Sequence, residues 1–157
     1  MKKLLFTSCI TLLTSLLALG QTLKIDSEKA FVKFKYVSEE TVGTVNGIKA
    51  SIEFDPNSPN KAVISGTADV STIDTKNTKR TDHLKSNEFF NVKKYPTISF
   101  KSNSVEKTKN GFLMKGNMTI KDITNAVEIN FTYEDKTFIG KTKIYGNDYN
   151  FFKQEKT

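Results

Sequence analysis

The fold is decided by residues 109–133, which read KNGFLMKGNMTIKDITNAVEINFTY. In residues 112–120 every second position is apolar or glycine, and polar residues fill most positions between them. The same alternation runs through residues 127–133. A period of two residues is typical of a β-strand with one buried face, and Asn110-Gly111 ahead of the first run is a strong hairpin signal. The stretch therefore predicts consecutive antiparallel strands.

Alternating runs of the same kind recur along most of the chain. They cover residues 32–36, 48–54, 64–70, 98–100 and 138–144. Turn residues separate the runs, so seven or eight strands with short connections predict an antiparallel meander with one polar and one apolar face. A single sheet of this length would leave its apolar face in water, so it must close into a barrel or fold into a sandwich. No linker or change of composition interrupts residues 21–157, which are predicted to form one domain.

Residues 1–20 have the composition of a cleavable secretory signal peptide. Lys2 and Lys3 precede an apolar run that ends in a small-residue Ala-Leu-Gly sequence ahead of Gln21. The run is short for a bilayer span, which needs about 20 residues, so we expect no stable membrane insertion once the signal is removed. Export predicts a periplasmic or secreted protein.

Removal of the signal changes both the cysteine content and the charge. It would leave 137 of the 157 residues, enough to bury a core. The only cysteine, Cys9, would be lost, which excludes disulfides, thiolate catalysis and cysteine metal sites from the remainder. The formal net charge would fall from +7 to +5 because Lys2 and Lys3 are removed. The remaining lysines alternate with other polar residues and form no block, which indicates a solvated outer face and no nucleic-acid site.

Residues 73–102 break the strand pattern and concentrate the rare residue types. They contain the only histidine (His83), the only arginine (Arg80) and an adjacent aromatic pair, Phe89 and Phe90. Because the rest of the chain consists of regular alternating strands, this concentration of rare residues indicates that the specific function is performed near this segment.

A short helical segment is predicted near residues 77–90. Residues 78–86 lack strand alternation, and either Thr75 or Asn77 can cap a helix N-terminus. The segment has few apolar residues, Leu84 among them, so it is predicted to lie on the barrel as a lid or side element.

The inward-facing positions combine large side chains with very small ones. The large residues are Phe34, Phe54, Phe100, Phe112 and Phe131, and the small ones are Ala50, Gly66, Ala68, Gly116 and Gly140. Glycines permit strands to bend at barrel corners, but small side chains also leave volume for an apolar guest. An eight-stranded barrel is of a size at which its interior is either filled by side chains or holds one small ligand. The sequence leaves both interpretations open.

Several motifs in this chain occur in the order found in a known family. The central ones are Arg80-Thr81-Asp82-His83-Leu84-Lys85-Ser86, Glu88-Phe89-Phe90, Tyr95-Pro96 and Ile98-Ser99-Phe100-Lys101-Ser102. The flanking ones are Gly43-Thr44-Val45-Asn46-Gly47, Ile52-Glu53-Phe54-Asp55 and Lys115-Gly116-Asn117-Met118-Thr119-Ile120-Lys121-Asp122. In these motifs the chain resembles the YceI-like family of exported, lipocalin-like, polyisoprenoid-binding proteins.

The resemblance implies an all-β fold, an extended antiparallel eight-stranded lipocalin-like barrel, that holds an isoprenoid-type lipid for transport or storage. The lipid would be a quinone or a polyprenyl compound with its tail in the barrel. The candidate ligand-binding residues are Phe34, Phe54, Ala68, Arg80, His83, Leu84, Phe89, Phe90, Phe100, Met114, Met118 and Phe131. We expect no metal and no cofactor other than the bound lipid, and a monomer or homodimer.

Two alternatives of other classes remain open. A small-molecule enzyme would use Asp82 and His83, but residues adjacent on a helix point in different directions and are not thereby a catalytic dyad. A filled barrel would act as an envelope stress or interaction module without a ligand. His83 is expected to serve in structural hydrogen bonding or in contact with a ligand head group, and Arg80 to pair with a carboxylate such as Asp82 or Asp74.

Overall fold

A computed structural model of the chain describes residues 22–151. The predicted signal peptide, residues 1–20, lies outside the described residues, as do residues 152–157. The strands are β1 (Thr22–Leu23), β2 (Val32–Tyr36), β3 (Thr41–Val45), β4 (Lys49–Glu53), β5 (Val63–Asp69), β6 (Thr97–Thr108), β7 (Gly111–Ile120), β8 (Ile123–Glu134) and β9 (Thr137–Lys141). The α-helix is α1 (Thr78–Lys85), and short 3-10 helices lie at Val37–Glu39, Pro59–Lys61, Val70–Thr72 and Gly146–Tyr149.

Seven strands form one antiparallel sheet in the order β1-β4-β5-β6-β7-β8-β9, which curls into a half-barrel. Strands β2 and β3 form a separate hairpin. The hairpin is joined to the rest of the fold by a bridge between Thr44 and Asp74, whose backbone groups exchange two hydrogen bonds of 3.0 Å. The predicted antiparallel all-β fold is confirmed. Periodicity missed the short strands β1 and β3, indicated only residues 98–100 of β6, and carried the last run to residue 144, whereas β9 ends at Lys141.

The tight turn predicted at Asn110-Gly111 is present, and a second tight turn joins β7 to β8. Thr108 faces Gly111 across the β6–β7 hairpin, and Ile120 faces Ile123 across the β7–β8 hairpin. The second loop consists of Lys121 and Asp122, and Lys121 has a positive φ of 60°. Because these loops are only two residues long, they fix the register of the three longest strands.

The predicted helix near residues 77–90 is confirmed as α1. The Asn77 side chain caps its N-terminus by accepting a 3.0 Å hydrogen bond from the backbone N–H of Arg80. The helix has no buried residue. It therefore lies on the surface of the fold, as a side element would. It is also short, and no helix within residues 22–151 is long and apolar enough to cross a membrane.

The buried apolar residues separate into two clusters. The first core cluster consists of Ile52, Phe54, Ile64, Val105, Phe112, Met114 and Phe131. The second core cluster consists of Val45, Ala68, Val70 and Ile73, against which Phe34, Ile48, Leu84, Phe90, Val92 and Ile98 pack. The β2–β3 hairpin and residues 78–92, which we call the α1 region, thus contribute to the second cluster. The long strands β6 to β8 supply much of the first.

Candidate ligand-binding site

The inner face of the sheet carries a row of apolar residues between the two core clusters. Ala50, Gly66, Phe100 and Met118 are successive cross-strand partners on β4, β5, β6 and β7. All four are only half-buried. We call them the middle row. Such a row is apolar surface that the protein itself does not fully cover.

Buried residues border the middle row on both sides. Ile52, two residues along β4 from Ala50, belongs to the first core cluster, and Ala68, two residues along β5 from Gly66, belongs to the second. Because residues two apart on a strand share a face, the row and both clusters form one continuous apolar inner surface. Only its centre is partly open.

Aromatic rings close the side of the inner surface formed by the first core cluster. Phe54 makes edge contacts with Phe112, Phe131, Tyr133 and Phe138 at centroid distances of 5.1, 5.6, 5.3 and 5.4 Å. Edge-to-face rings at such distances are attractive beyond their burial. This part of the interior is therefore filled by side chains.

The segment after α1 closes the side formed by the second core cluster. Leu84 and Phe90 pack against that cluster, and the backbone N–H of Phe90 donates to Leu84 O at 3.1 Å. The neighbouring Phe89 lies edge-on to the His83 ring at 4.9 Å. The two phenylalanines thus face different surroundings, Phe90 packing on the core and Phe89 on the exposed histidine.

The charged side chains between residues 74 and 88 that the sequence singled out lie at the surface. His83 Nε2 is 2.8 Å from Glu88 Oε2, and these side chains are 55% and 66% exposed. Arg80 and Asp82 are also exposed. Asp74 Oδ2 is 2.6 Å from Lys76 Nζ, so the partner of this carboxylate is a lysine and not Arg80. The hydrogen bond from Lys76 lowers the pKa of Asp74.

The twelve candidate residues thus occupy four environments. Phe54, Met114 and Phe131 lie within the first core cluster; Phe100 and Met118 lie in the middle row; Phe34, Ala68, Leu84 and Phe90 lie in or against the second core cluster; Arg80, His83 and Phe89 lie at or near the surface of the α1 region. The structure brings the apolar candidates onto one surface. It does not bring Arg80 or His83 onto that surface.

A cleft that the sequence did not indicate lies beside β8. Its volume is about 500 Å³, and it separates β8 from the chain after β9. Its lining residues are Asn125, Ala126, Val127, Glu128, Asn130, Lys141, Thr142, Lys143, Ile144, Tyr145, Asp148 and Tyr149. Periodicity cannot find such a cleft, because it exists only where one strand stops pairing with the next.

Tyr149 is the most buried member of the cleft lining, at 1% exposure. Burial raises the pKa of its hydroxyl, and the neighbouring Asn125 side chain acts in the opposite direction. Within residues 22–151 the Tyr149 hydroxyl has no hydrogen-bond partner of normal geometry. Buried polar groups are usually paired, so this hydroxyl is an unsatisfied polar group in the wall of the cleft.

Metal binding has no visible support in this part of the chain. Residues 22–151 contain no group of three or more His, Cys, Asp or Glu side chains placed to hold a metal ion. The candidate site consists of the apolar inner surface and the cleft beside β8.

A curled antiparallel sheet with an apolar, partly open inner face defines a lipocalin-like binding protein. Comparison with known proteins gives the family. Residues 23–156 match the model of the YceI-like domain, and the chain belongs to the YceI-like family. The resemblance stated from the motifs is thereby confirmed.

Relatives of known sequence agree with this assignment. Protein YceI of Salmonella newport is 34% identical in an alignment 129 residues long that covers 79% of this chain and 68% of that protein. A UPF0312 protein of Yersinia enterocolitica is 32% identical in an alignment 117 residues long that covers 71% of this chain and 61% of that protein. The chain thus spans less than two thirds of the Yersinia relative.

Solved structures confirm the lipocalin-like fold. BcnA of Burkholderia cenocepacia superposes with a TM-score of 0.67 at 24% identity, covering 76% of this chain and 78% of that one. A YceI protein of Campylobacter jejuni superposes with a TM-score of 0.53 at 27% identity, covering 71% of this chain and 68% of that one.

Proposed function

We propose that this protein is an exported binding protein that holds an isoprenoid-type lipid, a quinone or a polyprenyl compound, for transport or storage. The observation that carries the proposal is the middle row. Ala50, Gly66, Phe100 and Met118 face inward, are apolar or glycine, and are only half-buried. Ala50 and Phe100 pack against the first core cluster, and a long apolar chain placed on this row would cover the part of the row that stays exposed.

The energetics of burial favour such a ligand. Each methylene removed from water contributes about 0.8 kcal/mol, so one five-carbon isoprene unit contributes about 3–4 kcal/mol before the costs of binding. A few units suffice for strong retention. Membership in the YceI-like family supports the same ligand class, and the signal-like residues 1–20 support a location in the periplasm or outside the cell.

Binding, and not catalysis, is the activity that the α1 region favours. Asp82 and His83 are exposed on a surface helix, and the histidine contacts Glu88. A general base needs a substrate proton within hydrogen-bond reach in a site that orients the substrate. We therefore expect a His83→Gln variant to bind lipid as the wild type does.

Native mass spectrometry of the protein purified from its natural envelope is the first test. A stoichiometric mass increment that extracts into organic solvent as a quinone or polyprenyl species would establish the function and identify the ligand. A bare protein mass that is unchanged after incubation with ubiquinone-8 and with solanesol would mean a filled interior and would refute the proposal.

A matched pair of variants locates the binding surface. Met118→Glu places a carboxylate in the middle row, and Thr119→Glu places the same group one residue further along β7, on the opposite face. Lipid affinity should fall at least about tenfold in the first, because burying a charge on an apolar surface is unfavourable, and should change little in the second. Equal affinities in the two variants would exclude the inner face as the binding surface.

A further inference from the structure

The cleft beside β8 begins where β9 stops. The last cross-strand pair between the two strands is Asn130 with Lys141. Beyond it the chain no longer pairs with β8 as a strand and is attached at two points. Thr142 Oγ1 donates to Glu128 O at 2.7 Å, and Asn125 Nδ2 donates to Asp148 O at 2.8 Å. The gap between these attachments is the cleft.

The cleft lies along the part of β8 that β9 does not pair. Four consecutive residues of β8, Asn125 to Glu128, line it. Successive strand residues point to opposite faces, so residues of both faces of β8 contribute to the lining. On the inner face Asn125 is the cross-strand partner of Met118, a member of the middle row.

A second inner-face residue connects the cleft to the middle row. Val127 is the cross-strand partner of Gly116. The Phe100 ring covers that glycine so closely that a β carbon there would lie 2.5 Å from Phe100 Cζ. The half-buried Val127 thus lies one strand away from the ring of a middle-row residue, and the inner apolar surface extends to the cleft.

Hydrogen-bond donors are concentrated in the cleft lining. Lys141 and Lys143 contribute ammonium groups, Asn125 and Asn130 contribute amides, and Tyr149 contributes its buried hydroxyl. Lys143 Nζ lies 5.1 Å from the centre of the Tyr145 ring. Neither lysine forms an ion pair within the described part of the chain. The two ammonium groups are therefore free to meet an oxygen acceptor, whereas Asn125 already donates one of its amide hydrogens to Asp148 O.

The charges of the lining balance. Its two lysines are matched by Glu128 and Asp148, and Glu128 Oε1 is also 3.9 Å from Lys115 Nζ. A site without net charge favours a neutral ligand group over a phosphate, since a phosphate would need an excess of cations. The lining thus fits a neutral group with acceptor oxygens.

We propose that the cleft between β8 and residues 141–149 binds the neutral, oxygen-bearing head group of a lipid whose tail lies on the middle row. This inference rests on the proposed function and adds to it the position and the chemistry of the head group. The head group is of the quinone type, with carbonyl oxygens that accept hydrogen bonds from the cleft donors. The α1 region then covers apolar surface and does not hold the head group.

Three probes separate the head group from the tail. Decylubiquinone carries a quinone head on a ten-carbon tail, decylbenzene carries the same tail on a ring without oxygen, and farnesyl phosphate carries an anionic head. The wild type should bind decylubiquinone at least about tenfold more tightly than decylbenzene, because only the quinone satisfies the cleft donors. Tighter binding of farnesyl phosphate than of decylubiquinone would refute the neutral head group.

The cleft lysines provide the decisive variant. Lys141→Met with Lys143→Met should reduce the preference for decylubiquinone at least about fivefold and leave decylbenzene affinity within about twofold. Lys107→Met with Lys109→Met is the matched control, with the same spacing and charge change in the β6–β7 hairpin. An unchanged preference in the cleft variant would place the head group elsewhere, with the proposed function intact. Binding of none of the probes by the wild type would refute the proposed function itself.

A measurement on the wild type needs no substitution. The side-chain amide resonances of Asn125 and Asn130 should shift when decylubiquinone is added and stay in place with decylbenzene. Shifts confined to the α1 region would overturn the inference.

Discussion

The ring of Phe34 occupies the space that a side chain on Gly43, its cross-strand partner, would need. A β carbon on Gly43 would lie 2.5 Å from Phe34 Cζ and 2.8 Å from the backbone oxygen of Asp74. Gly43 is buried, and the next residue, Thr44, forms the bridge to Asp74. The missing side chain therefore lets the β2–β3 hairpin approach the rest of the fold and leaves room for the Phe34 ring over Gly43.

A Gly43→Ala substitution should destabilise the protein. Its methyl group would collide with a ring and with a backbone oxygen, and overpacking of this kind costs about 1–3 kcal/mol of unfolding free energy. Urea unfolding of the purified protein measures the loss. Gly140→Ala is the control, because its β carbon would meet the Ile129 side chain at 3.1 Å on an exposed strand. Equal stability of the two variants would contradict the steric argument.

The parts of the fold that the sequence predicted correctly are those in which local pattern and tertiary contacts agree. Strands β7 and β8 have clear alternation, and α1 has a capping asparagine and no strand period. Strand β3 was missed because its buried positions are Thr41, Gly43 and Val45, of which only one is a large apolar residue. Its position depends on partners distant in sequence, which periodicity does not detect.

The site was predictable only in part. An inward apolar residue has the same sequence pattern whether it fills a core or lines a cavity, so Phe54 and Phe100 were indistinguishable candidates. The curl of the sheet separates them, since it buries Phe54 among other rings and leaves Phe100 only partly buried at the edge of the same cluster. The cleft beside β8 had no signal at all, because it arises from the end of strand pairing at Lys141.

Phe54 is expected to be a main support of the first core cluster. Its ring contacts four other aromatic rings and is 3% exposed. Phe54→Ala should lower the unfolding free energy by about 3–5 kcal/mol, from lost burial and the cavity left behind. Phe31→Ala is the control, since that side chain is 60% exposed and its truncation should change stability by less than about 0.5 kcal/mol. A small loss for Phe54→Ala, measured by chemical denaturation, would show that the cluster collapses into the gap.

Asn77 is expected to stabilise α1 locally. The helix has no fully buried residue and contacts the second core cluster through Leu84, so its N-terminal cap adds to a modest tertiary contact. Asn77→Ala should destabilise the helix by about 1 kcal/mol, which amide hydrogen exchange would detect as faster exchange in residues 78–85. Exchange in β7 should change little, because opening of a surface element is local. Uniformly faster exchange in both elements would contradict a local role.

Asp69 should make stability depend on pH in the acid range. Its Oδ1 accepts hydrogen bonds from the Ser71 hydroxyl at 2.6 Å and the Ser71 backbone N–H at 2.9 Å. The pKa of Asp69 lies below its ordinary value of 3.8. The hydrogen bond from the Ser71 hydroxyl lowers it most, and the bond from the Ser71 backbone N–H and the more distant charges of Lys49 and Lys85 act in the same direction. A carboxyl with a lower pKa in the folded chain than in the unfolded one stabilises the fold fully when the pH is above the pKa of the unfolded chain. That stabilisation is lost as the pH falls through the pKa of the folded chain.

Comparison of the wild type with Asp69→Asn isolates this contribution. The amide keeps the shape of the side chain but cannot ionise, so the difference in unfolding free energy should be largest near about pH 6 and should shrink toward about pH 2.5. In a Ser71→Ala background the hydroxyl donor is absent, and the pH-dependent part of the difference should be smaller because the strongest cause of the low pKa has been removed. Urea unfolding at a series of pH values tests both statements. A difference that is constant with pH would mean that the carboxylate has the same pKa in the folded and unfolded chains, and that its hydrogen bonds to Ser71 do not distinguish the charged from the neutral form.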